Sequence, residues 1–310
     1  MNRPQPLGLR SAALGLVFFV TGCAGVAPTI SQASATLAPT KAAALTITST
    51  VVRSSPTLAV MATPTPTRTN TPVPTLSANE AQVLVLELLE HNAGCRLPCW
   101  WGFVPDKTTW REVQDFLLTF ALQIQLSGSS NDPFQVGYVK FLVPEEIYPT
   151  PLRQTYIIRN GRIETIEVQL GYVSRYGLSY FLSTYGQPAE IWLRTYRYAR
   201  EDDLPFDLVL FYPEQGILAR FYSQATSIAN NIEGCPQQRP AAVVALWSSE
   251  RRLTFSEATS QTIDIRNEIW WPYRLLQEAT GMDIETFYQT FKNSNNAICL
   301  ETPADLWPQP

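Results

Sequence analysis

Acidic and aromatic residues are distributed so unevenly along this chain that only its later part can fold around a core. All 27 acidic residues stand at or after Glu80, and 33 of the 35 aromatic residues follow position 80, with none between Cys23 and Glu80. Burial of large apolar groups is what offsets chain entropy, so a sizeable core is open only to the final stretch of about 230 residues. Five of the 23 basic residues precede Glu80, which leaves 18 positive against 27 negative charges in that stretch. A surplus of negative charge argues against nucleic acid as a partner, because phosphate neutralisation needs Lys and Arg in excess.

The first 22 residues have the zones of an export signal. Arg3 and Arg10 supply positive charge, residues 12–20 are almost wholly apolar, and small residues follow. The apolar run is too short to span a bilayer comfortably. Val20-Thr21-Gly22-Cys23 resembles the lipobox of bacterial lipoproteins. That resemblance implies diacylglyceryl transfer to the Cys23 sulfur, cleavage after Gly22 and acylation of the new amine, hence an extracytoplasmic protein held to a membrane by lipid. Two or three acyl chains, at about 0.8 kcal/mol per buried methylene, make a stable anchor. Residues 23–76 then hold 13 threonines (from Thr29 to Thr75) and seven prolines, with Pro64, Pro66, Pro72 and Pro74 in one run. Such a stretch offers no apolar face, and it is expected to be a disordered or partly polyproline II tether.

The ordered region is expected to span 77–310. Ser77-Ala78-Asn79-Glu80 reads as a capping box, after which Ala81, Leu84, Val85, Leu88 and Leu89 share a helical face and Gly94 offers a left-handed stop. Thr109 with Glu112 opens a second helix burying Val113, Phe116, Leu117 and Phe120. Strands over 153–159 and 162–170 flank Asn160-Gly161, a type I′ turn signal, and a change of parity after Ile163 predicts a bulge. A third helix is expected over 175–185, stopping at Gly186, followed by strands over 189–197, 206–212 and 216–222. Residues 262–310 read as helical, with Pro272 in a first turn, Gly281 as a stop and Asp283 capping a helix that buries Ile284, Phe287, Tyr288 and Phe291. Helix followed by antiparallel strands thus occurs twice, with a possible sub-boundary near 171–175. The fold class is α+β, an antiparallel sheet with packed helices.

Gly102 followed by Thr109-x-x-Glu112-Val113, and Phe181-Leu182 followed by Tyr185-Gly186-x-Pro188, resemble the helix openings and Gly-x-Pro exits of small lipoproteins of outer-membrane assembly and of β-lactamase inhibitor proteins. The resemblance covers at most about half of the folded part, and it implies protein binding rather than catalysis. The long Thr/Pro stalk and the C-terminal helices depart from that pattern.

His91 is the single histidine, which excludes a two-histidine metal site and leaves little room for a Ser-His-Asp triad. His91, Cys95 and Cys99 stand at four-residue spacings, but Gly94 and Pro98 break the helix that would align them on a metal. With the lipidated Cys23 set aside, four cysteines remain, and in an oxidising compartment disulfides are their expected use. Proximity pairs Cys95 with Cys99 and leaves Cys235 with Cys299; the other two connectivities stay open. No cofactor or metal is expected. Carboxylate pairs at Glu145 and Glu146, Glu164 and Glu167, and Asp202 and Asp203 keep a cell-wall or polysaccharide hydrolase as an alternative, although solvated surface is the blander account of each.

Candidate binding residues are of two kinds. Arg194, Tyr196, Arg197, Tyr198 and Arg200 interleave cations with aromatics, as protein hot spots and sites for anionic polymers do, or else form a strand with its arginines in water. Trp100 and Trp101, and likewise Trp270 and Trp271, could stack a sugar or simply fill the core beside the cysteines. Together these features suggest a tethered, non-catalytic module that binds a protein or an envelope polymer. A solute-binding lipoprotein is a further alternative. A flat or concave aromatic face would favour the first, a deep acidic cleft the hydrolase and a large closed pocket the solute binder.

Overall fold

The computed structural model describes residues 75–129, 132–196, 204–237, 241–265, 271–294 and 298–308. Residues 1–74, which include the expected signal segment, Cys23 and the expected tether, lie outside them, as do Arg197, Tyr198, Arg200, Asp202, Asp203 and Trp270.

Helix α1 (Ala78–His91) opens on the expected capping box: the Glu80 amide donates to Ser77 Oγ, and Ser77 N donates to the Glu80 carboxylate at 2.9 Å. It stops at Asn92, which adopts positive φ two residues ahead of Gly94. Asparagine tolerates that conformation, and here its buried side chain donates to the carbonyls of Cys95 and Cys99 while accepting from Trp101 N. Helix α2 (Trp110–Leu117) has the matching box at Thr109 and Glu112 and buries Trp110, Val113 and Leu117. Phe116, expected in the core, sits at its rim instead, 37% exposed and edge-on to Phe103 and Phe120.

Strands β1 (Gln123–Ser127), β2 (Phe134–Phe141), β3 (Leu152–Arg159) and β4 (Arg162–Gly171) form a meander. Asn160 and Gly161 take φ of 51° and 74°, as the type I′ turn between β3 and β4 requires. Ile158 pairs with Ile163 while Ile157 pairs with Thr165, so Glu164 is the extra residue of the expected bulge. The third helix is divided: a 3-10 turn over Ser174–Tyr176 ends at Gly177, and α3 (Leu178–Tyr185) follows, closed by Gly186. A second meander then runs through β5 (Glu190–Thr195), β6 (Leu204–Tyr212), β7 (Ile217–Ile228) and β8 (Asn231–Gly234). After β9 (Ala241–Trp247) come α4 (Phe255–Ser260), β10 (Arg274–Leu275), α5 (Leu276–Thr280), α6 (Ile284–Phe291) and β11 (Leu300–Pro303).

The main path of the sheet is β1-β2-β3-β4-β9-β7-β6-β5-β10, with β8 and β11 attached beside β7, and every pairing is antiparallel. This is the α+β architecture expected. Near 171–175, where a sub-boundary was expected, the two meanders are parts of one sheet, because β9 pairs with both β4 and β7. The segment 262–310 is also less helical than expected: Pro272 precedes β10 rather than opening a helix, and β11 pairs with β8. Gly281 and Asp283 do act as the stop and the cap.

Side chains alternate across the sheet. On the inner face Val168, Val244, Ala219, Leu210 and Ile191 stand side by side across β4, β9, β7, β6 and β5, and all are buried. Phe181 of α3 packs on this face against Phe221 and Tyr212, and Trp110 of α2 packs against Tyr156. Gly137 on β2 makes the latter contact possible, since a Cβ there would sit 2.6 Å from the Trp110 ring. The outer face carries a second apolar cluster of Val209 and Phe211 on β6, Leu218 on β7 and Val243, Ala245 and Trp247 on β9, and over it α4 lays Phe255 flat on Trp192 at 4.3 Å and edge-on to Phe211 and Tyr273.

Candidate functional site

Beside the apolar cluster under α4 the outer face carries a buried polar network that begins on β5 and β6 and reaches β3. Asp207 on β6 is fully buried and ion-paired on both sides, with Arg194 at 2.7 Å and Arg220 at 2.8 Å, and Tyr273 OH donates to it at 3.3 Å. The Arg194 guanidinium lies 4.0 Å from the Trp271 ring centre and 4.1 Å from that of Tyr273. Arg194 is therefore neither the solvent-facing cation nor the open hot spot that its sequence neighbourhood suggested; it is a buried strut. Tyr196 is half-buried, edge-on to Trp271.

Residues 261–265 cross this face as a strap fastened by polar groups. The Glu167 carboxylate accepts from the amides of Ile263 at 2.8 Å and Asp264 at 3.2 Å. Asp264 in turn takes Arg153 and, at 3.0 Å, Gln169 Nε2, while Arg220 donates to its carbonyl at 2.7 Å. Burial pushes Glu167 up to about 7, with the Asp264 charge adding to the rise and the two amides and Arg153 opposing it. Glu167 is thus no solvated surface acid, contrary to the expectation for the Glu164 and Glu167 pair. Glu164 is held between Arg159 at 2.9 Å and Arg251 at 3.1 Å.

Between the strap and the outward side of β2 and β3 runs an open groove of about 320 Å³. Val136 and Ile157 form its floor, Phe134 and Tyr138 its aromatic edge, and Ser260, Gln261, Thr262 and Ile263 its wall. Phe134 is 44% exposed. These residues share one side of the sheet because β2 alternates: Gln135, Gly137, Val139 and Phe141 face inward and are buried, whereas Phe134, Val136, Tyr138 and Lys140 face the groove or solvent. Sequence inspection missed β2, although the period-two pattern is there, because Gly137 interrupts it. The capping box of Thr254 and Glu257 that starts α4, and so aims the strap, was also missed despite its recognisable spacing.

Trp100 and Trp101 are core residues. They stack on each other at 5.4 Å, Trp101 meets Phe141 edge-on, and its Nε1 donates to the Leu88 carbonyl, so neither ring offers a face to a ligand. Cys95 pairs with Cys99 and Cys235 with Cys299, the connectivity that proximity favoured. Glu233 lies close to the second pair, but disulfide sulfurs are not the thiolates that a metal needs. No helix among the described residues is long and apolar enough to cross a membrane. No protein-family model matches the chain, and no curated protein and no solved structure is similar to it.

Proposed function

We propose that the chain is an extracytoplasmic, lipid-tethered module that binds a protein or envelope polymer without acting on it chemically. The observation that carries this reading is the open, aromatic-edged groove between β2, β3 and residues 260–263. Groups that catalysis would need free are engaged in structure around it: Glu164 by two arginines, Glu167 by backbone amides, and Asp264 by Arg153 and Gln169. A shallow groove with an aliphatic floor suits an extended segment that lies along it, and its exposed aromatic edge is of the kind that dominates recognition energy. The lipobox-like Val20-Thr21-Gly22-Cys23 supports the address, and the two disulfides accord with an oxidising compartment.

The test is capture from solubilised envelope with the purified protein, in parallel with a Phe134→Ala, Tyr138→Ala double variant. A ligand retained by the wild type and lost by the variant, with melting temperature preserved, supports the groove. Equal retention by both, or turnover of a glycan by the wild type, overturns the proposal.

A further inference from the structure

Lys140 and Arg153 stand directly opposite each other on β2 and β3. Both alternate with residues buried on the inner face, Val139 and Phe141 on one strand and Leu152 and Gln154 on the other, so both project from the outer face. Like charges at directly opposed positions destabilise a sheet. Among the described residues Asp264, the carboxylate that pairs with Arg153, makes no ion pair with Lys140. Asp264 binds Arg153 and Gln169, which places it over β3 and β4, on the far side of Arg153 from β2. The cross-strand neighbour of Lys140 on β1 is Gln123, which carries no charge. The sheet therefore sets two cations, one of them already paired with Asp264, beside Tyr138 at the groove's edge, in a folded part that is otherwise rich in negative charge.

We infer that the Lys140 and Arg153 pair is an anion-recognising subsite of this groove, and that its ligand is an extended, acidic peptide segment of a partner protein. The inference rests on the groove being a binding site. Along β2 the outward residues Phe134, Val136, Tyr138 and Lys140 make a stripe of about 20 Å, at roughly 3.4 Å per residue. A peptide running along it in extended form presents every second side chain to the stripe. With a large apolar side chain on the Val136 and Ile157 floor, a side chain four residues away reaches Lys140 and Arg153. The recognised pattern is thus a large apolar residue and an Asp or Glu separated by three others. The aliphatic floor favours a peptide over a glycan, since sugars stack on aromatic rings and gain little from valine or isoleucine. The negative charge of the rest of the fold does not forbid an acidic ligand, because salt screens charges beyond about 8 Å at physiological ionic strength.

The probe is a library of random dodecapeptides displayed on phage, selected against the immobilised full-length protein and against Lys140→Glu. The wild type is expected to enrich peptides with an acidic residue four positions from a large apolar one, and the variant to lose that enrichment at least tenfold. The same variant replaces a repulsive cross-strand pair with an attractive one, so its melting temperature should rise by about 1–3 °C. A residue kept for stability would instead lower the melting temperature on substitution and leave the acidic enrichment unchanged. Selection of peptides without the acidic residue, or with unchanged enrichment in the variant, overturns the inference and leaves the groove as a binding site. Selection of no peptide that Tyr138→Ala abolishes counts against the groove itself, and the inference falls with it.

Discussion

Val168, Val244, Ala219, Leu210 and Ile191 make a continuous apolar row on the inner face of the sheet; one residue along the same strands, the outer row reads Gln169, Val243, Arg220, Val209 and Trp192. The inner row is covered by helices that need only be apolar and of suitable volume, and it tolerates detail poorly specified by polarity. The outer row and its neighbours hold Asp207, Glu167, Arg153 and Arg194, each bonded to a particular partner. Burying those groups stabilises little by itself, because desolvation offsets the Coulomb gain. What Glu167 and Arg153 do, with Arg220 held by Asp207, is fix the path of residues 261–265, and with it the wall of the groove. One face supplies stability and the other supplies placement.

The comparison breaks most readily at Asp207. Asp207→Ala leaves two arginines without their shared carboxylate, one of them with a side chain only 4% exposed, and should cost about 3–5 kcal/mol in denaturant unfolding. A loss under about 1 kcal/mol would mean that the outer network is solvated, and the distinction between the faces would fail.

Glu167 comes next, through pH. Its folded value is raised to about 7 from an ordinary 4.5, so between those limits the folded protein holds a proton that the unfolded chain has released. The resulting stability is fully present below about pH 4.5 and is lost as pH rises through 7. Glu80, Glu112, Glu257 and Asp283, whose hydrogen bonds at helix starts lower their values, act only at more acidic pH and in the opposite sense. Unfolding midpoints at pH 5 and pH 8 should therefore differ more for the wild type than for Glu167→Gln; equal slopes would show that Glu167 stays charged on the strap.

The inner face is probed most gently at Gly137. Gly137→Ala forces a Cβ to within 2.6 Å of the buried Trp110 ring and should cost about 1–3 kcal/mol, read from the same unfolding curves. A neutral result would show that Trp110 moves freely, and that the inner face is less tightly packed than the outer one is bonded.

Several helix caps and the Asn160-Gly161 hairpin were legible in the sequence because their causes are local. Ser77 with Glu80, Thr109 with Glu112, Asp283 and Gly186 act over four residues or fewer, and each does in the structure what its spacing implies. β9 was not legible, because Ala241–Trp247 is apolar throughout and an unbroken apolar run has no period to separate strand from buried helix. The polar cluster was hidden for another reason. Glu167 and Asp264 are 97 residues apart, and an acid that holds a distant backbone amide looks in sequence like any solvated acid. Arg194 misled in the opposite direction, since its cation-rich surroundings suggested a surface while its partner Asp207 lay on the next strand.

The position of β9 also sets an order of events during synthesis. Its neighbours β4 and β7 end at residues 171 and 228, yet the strand that closes the gap between them is complete only at Trp247. A chain made from its N-terminus therefore carries two finished meanders, each with an open apolar edge, for as long as the next stretch takes to emerge. Unpaired edges of that kind invite wrong partners, so the interval before Trp247 appears is when this protein most needs shielding from copies of itself.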